Sequence, residues 1–115
     1  MSYSETQLNT LAKDNPKELA RILSSPNADV RTLTFGAELL GGEVKDEELV
    51  LPVFRRLLKH FNAIVREGAM LGVSAFYMDK KPPQEIMERL RIISKSDPSP
   101  ANRDCAGSLV EDYNK

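Results

Sequence analysis

The chain has one cysteine, Cys105, one histidine, His60, and no tryptophan, and aromatic residues make up only 6% of its 115 positions. A single cysteine excludes an intrachain disulfide, so the fold must stand on packing, and this thiol usage suits a reducing compartment, with cytoplasm the expected location. One histidine and one cysteine are too few for a typical zinc site, and no acidic loop has the calcium spacing, so no metal or other cofactor is expected. A catalytic Ser-His-Asp or Cys-His set would have to use His60, which is expected in the last turn of a helix, where a cation suits the helix dipole. Cys105 follows Asp104, a negative neighbour that raises a thiol pKa, and it reads as a small half-buried filler. The six glycines, Gly36, Gly41, Gly42, Gly68, Gly72 and Gly107, form neither a phosphate loop nor a dinucleotide fingerprint. No residue set for catalysis is found, and the chain is not expected to be an enzyme.

Long apolar runs are also missing. No stretch approaches the ~18 residues of a membrane span, and residues 1–7 have neither a basic nor an apolar signal region, so neither secretion nor membrane association is expected. Charge of one sign is not in excess: 16 Lys and Arg oppose 17 Asp and Glu, a net charge of -1. No bulk field would therefore draw the chain onto nucleic acid or anionic lipid.

What is present is a globular balance, with 41% hydrophobic and 29% charged residues, and an internal repeat. Asn27-Ala28-Asp29-Val30-Arg31 recurs 35 residues on as Asn62-Ala63-Ile64-Val65-Arg66, identical at four of five positions, and Ser99-Pro100-Ala101-Asn102-Arg103 is a weaker third copy 37 residues further. Each copy opens on Asn or Ser, whose side-chain oxygen can accept from an unpaired N–H in a helix's first turn. Three helices of about 27–40, 62–78 and 99–113 are predicted from these caps. Upstream of each lies a second amphipathic segment: Leu19, Ile22 and Leu23 after the Asn15-Pro16 start; Leu49, Val53, Leu57, Leu58 and Phe61 after Asp46; Ile86, Leu90 and Ile93 after Pro83. Gly41-Gly42 and Asp79–Pro83 read as breaks between pairs, and Asp97–Pro100 as a longer turn inside the last. A leading helix from about Ser4 to Lys13, with Leu8, Leu11 and Ala12 inward, would cover the open end. Gly68 and Gly72, four apart, share one helical face and suit a close helix neighbour.

Two helices per unit, a period of 35 to 37, Val-Arg just inside the second helix and a proline inside a first helix at Leu51-Pro52-Val53 resemble HEAT repeats. The resemblance covers roughly residues 15–113. It implies an all-α fold, a short right-handed superhelix of three helix pairs (about 15–42, 46–79 and 83–113) with an N-terminal capping helix, in a single domain of residues 1–115. It also implies that second helices line the binding face, and that Pro52 bends its helix as the family's prolines do. Arg31, Arg66 and Arg103 recur in successive units and are expected to form a structural ladder, each bonded to an acidic residue or a carbonyl of its neighbour.

The expected function is a non-enzymatic protein-interaction or scaffold module, its partner another protein, with Thr34, Glu38, Met70, Ser74 and Tyr77 as exposed contact residues. The alternative is nucleic-acid binding through a basic stripe of Arg55, Arg56, Lys59, Arg89 and Arg91. A subunit role beside a larger enzyme rests on the family's range alone. The apolar flanks of a short stack also give homodimerisation a physical basis.

Overall fold

Most of the helices start at a short polar side chain that accepts from one of the first free N–H groups. The computed structural model describes residues 2–115, and seven α-helices and no strand are found among them. Helix α1 (Glu5–Asp14) opens on Ser4 with a reciprocal capping box to Gln7. Helix α2 (Pro16–Leu23) takes Asn15 as cap with Pro16 just inside. Helix α3 (Val30–Glu43) is capped by Asp29, α4 (Glu47–Leu57) by Asp46, and α7 (Pro100–Tyr113) by Ser99. At the start of α5 (Ala63–Phe76), the Ile64 N–H donates to Asn62 Oδ1 at 2.8 Å. Helix α6 (Gln84–Ser96) begins at Pro83 without a side-chain cap.

Two departures from the sequence reading occur in α3. Its cap is Asp29, not Asn27, because an ionised carboxylate bonds the Thr32 N–H, here at 2.9 Å, and suits the positive helix end better than an amide. Gly41 and Gly42 do not break the helix, which runs on to Glu43. A side chain at Gly41 would collide with the backbone of Gly72, so this glycine permits a helix contact and makes no turn.

The chain divides into two compact units, one through Phe76 and one from Tyr77 to Lys115. In the first, α1, α3 and α5 lie side by side, α2 lies beside α4, and α2 and α4 each pack on the helix that follows them. The α3–α5 seam is close to a backbone contact. A Cβ on Gly68 would stand 2.7 Å from the Thr34 carbonyl oxygen, and one on Gly72 would strike the Ala37 carbonyl. The partners advance together along both helices, 34 with 68 and then 37 and 41 with 72, so α3 and α5 run parallel. Leu23 fills the space over Gly36 between α2 and α3, and Phe54 meets Phe76 edge-on at 6.3 Å between α4 and α5. Pro52 lies inside α4, on its exposed side. Leu8, Leu19, Leu23, Leu40, Val50, Phe54, Leu57, Leu58, Val65 and Val73 are buried.

The second unit is a helix hairpin of α6 on α7, with Ile86, Met87, Leu90, Ile93 and Ala106 buried. Its turn is held by Asp97, whose Oδ1 accepts from the Ser99 N–H at 2.9 Å.

Candidate functional site

The repeated arginines explain how the helix starts are held. Arg66 Nη1 donates to the His60 carbonyl at 2.7 Å and Arg103 Nη1 to the Asp97 carbonyl at 2.6 Å. Both reach six residues back, across the loop of their own helix pair. Arg31 makes a different contact, at 3.3 Å to Glu5 of α1, and both side chains are exposed. The shifted cap accounts for this. Arg66 and Arg103 stand fourth in their helices, whereas the start at Val30 leaves Arg31 second.

Between α1, α3 and the start of α5 lies an open hollow of about 450 Å³, lined by Glu5, Val30, Arg31, Thr34, Phe35, Glu38 and Ile64. Its floor is apolar and its charges sit on the rim. Thr34 Oγ1 is buried there without a hydrogen-bond partner. Glu38 is half-buried; loss of hydration, and then repulsion from Glu67 on α5, raise its carboxyl above the ordinary 4.5. Ile64 at the mouth is 57% exposed. Phe61 just before α5 is 88% exposed, and Leu71, further along the helix, is 43% exposed. Ile64 and Leu71 are seven residues apart and so share a face, about 10 Å from each other along the helix, with Glu67 between them.

Of the expected contact residues, Thr34 and Glu38 border this hollow and Ser74 is half-buried. Met70 and Tyr77 are not exposed: both are fully buried. The buried residues of α5, from Gly68 round to Met70, span roughly 200° of its circumference, so only the arc of Ile64, Glu67, Leu71 and Ser74 is left to solvent. Phe61, expected on the buried face of α4, lies beyond the helix end and projects outward, stacked on His60 at 4.5 Å. The cap at Asn62 is the sequence signal for this, because a residue next to a cap belongs to the loop.

His60 also departs from its expected role as a helix-end cation. It lies outside α4, and its Nδ1 accepts the Asn62 N–H at 3.0 Å, which an imidazolium could not do. Burial first, then Arg56 and Arg66, lower its pKa below 6.5.

The expected basic residues fall in both units, three in the first and two in the second. Arg55, Arg56 and Lys59 share a face at the end of α4 and are exposed, but Arg56 Nη1 also donates to the Leu23 carbonyl at 3.3 Å. Arg89 and Arg91 are two apart on α6, where side chains point to opposite sides. Cys105 is half-buried on α7. Among the described residues, no group of three or more His, Cys, Asp or Glu side chains is placed to hold a metal ion, and no helix is long and apolar enough to cross a membrane.

Fold and surface together define an all-helical protein with an apolar and acidic face on α3 and α5. Comparison of the chain with protein-family models, with curated proteins and with solved structures finds no match.

Proposed function

We propose that the chain is a non-enzymatic protein-interaction module of the α-solenoid class, built from HEAT-like helix pairs, and that it docks another protein on the α3–α5 face. Support for the class comes from the parallel second helices α3 and α5, joined through α4, and from the arginine bond across the pair's own loop in both α4–α5 and α6–α7. Parallel neighbours of this kind arise when one helix-turn-helix unit is followed by a copy of itself. The observation that carries the function is Ile64, exposed at the mouth of the hollow, with Phe61 exposed just before α5 and Leu71 exposed further along it. Large apolar side chains left in water and grouped at a concavity mark a surface that is covered on binding.

The test is to capture partners from a cell extract on the full chain, purify the one retained at high salt, and titrate it against wild type and Ile64→Asp. The expected result is about a tenfold or greater loss of affinity, the size of an apolar anchor replaced by a buried charge. Unchanged affinity for every captured partner would refute the reading. The basic group Arg55, Arg56 and Lys59 supports nucleic acid as the second reading, and a steep fall of affinity with added salt would be its signature.

A further inference from the structure

The α3–α5 face carries a charge that its own side chains do not neutralise. Glu38 and Glu67 repel one another across the seam. Arg31, a cation of the same rim, already pairs with Glu5 at 3.3 Å. Along α5 the surface therefore reads apolar at Ile64, acidic at Glu67 and apolar at Leu71, with Glu38 beside the acidic position and the hollow beside Ile64. A ligand confined to the hollow would leave Leu71 in water, two turns away. A helix laid along the seam would cover the whole set, since positions i and i+7 of a helix are also about 10 Å apart on one face.

The geometry points to a specific occupant: an amphipathic helix of another protein in which one Lys or Arg stands three or four residues from each of two large apolar residues. The first apolar residue enters the hollow beside Phe35 and Ile64, the second covers Leu71, and the cation sits between Glu38 and Glu67. This rests on the reading of the chain as a protein-interaction module and adds the chemistry of the segment it takes. The cation relieves a repulsion that the free protein bears, so charge selects the partner while the apolar residues hold it. Acidic or purely apolar helices lack the group that quiets the two carboxylates.

A random peptide library displayed on phage and panned against the full chain tests this. Enriched peptides are expected to carry Lys or Arg between apolar residues at helical spacing, and as synthetic peptides to bind about tenfold more weakly to Glu67→Gln and to Glu38→Gln. Replacing their cation with Glu should abolish binding to wild type, and Glu67→Lys should restore part of it, an exchange that a purely structural role for Glu67 would not produce. Thermal melts of the variants, which alter surface or half-buried positions only, check that each is folded. Peptides that lose affinity on Ile64→Asp yet show no preference for a cation would overturn the inference and leave the docking face standing. Peptides indifferent to Ile64→Asp, or no enrichment at all, would also overturn it, and the titration of the captured protein partner would then decide separately whether the interaction reading survives.

Discussion

Single residues at the α3–α5 seam are set against the stability of the free protein. Thr34 Oγ1 is buried without a partner, and a hydroxyl in that state costs about 1–3 kcal/mol relative to a satisfied one. Thr34→Val keeps the shape and removes the group, so it should raise stability by about 1 kcal/mol in urea unfolding. Glu38 acts in the same sense. Its folded pKa lies above 4.5, so the folded state holds its proton more readily; the penalty is absent below about pH 4.5 and grows as pH rises through the folded value. Glu38→Gln should therefore raise the thermal midpoint at neutral pH, with the difference from wild type vanishing in acid. His60 titrates the other way. Its folded pKa is below 6.5, so the unfolded chain takes the proton first and stability falls as pH drops through that value. Urea midpoints measured between about pH 7.5 and 5.5 should fall more for wild type than for His60→Asn, which loses this titration.

At the level of helices, the glycines of the seam fix the spacing. Gly72→Ala would press a methyl group onto the Ala37 carbonyl and the Phe54 ring, and neither the backbone nor a buried ring can yield cheaply. A loss of about 2–3 kcal/mol is expected by chemical denaturation, whereas Gly42→Ala, inside α3 with nothing within 4 Å, should gain about 0.5 kcal/mol. Gly42 and Gly72 also separate what sequence could show from what it could not. Caps at Asn15 and Ser99, and helix starts near Ser4 and Asp46, are legible because a polar side chain before a helix-forming run has a local cause. Gly41-Gly42 reads locally as a break, yet α3 runs on to Glu43 and Gly41 lies against the backbone of α5, a contact that local sequence does not show. The copies align at Asn27, yet the carboxylate of Asp29 two residues on is the cap, and that shift leaves Arg31 second in its helix and paired with Glu5. The surface followed the same rule. Helical phase puts Thr34 and Glu38 on one face, but phase alone cannot tell how much of a helix is covered, and Met70, expected outside, lies inside; Tyr77 stands past the end of α5 and is buried as well. Phe61 continues the apolar spacing of α4, but that helix ends at Leu57.

For the molecule as a whole, the proposed function lies on one face of the first unit, where Ile64 of α5 shares the hollow with Arg31, Thr34 and Glu38 of α3, and Glu67 and Leu71 continue the α5 side. Proteins carry such arrangements at a stability penalty where a partner will later remove it. The most direct measurement is a backbone amide spectrum of the full chain, recorded while the purified partner captured from extract is added. Shifts concentrated in residues 31–38 and 61–71 would bear out a docking face on α3 and α5. Shifts concentrated in residues 55–59, or in 84–113, with 31–38 and 61–71 unmoved, would contradict it.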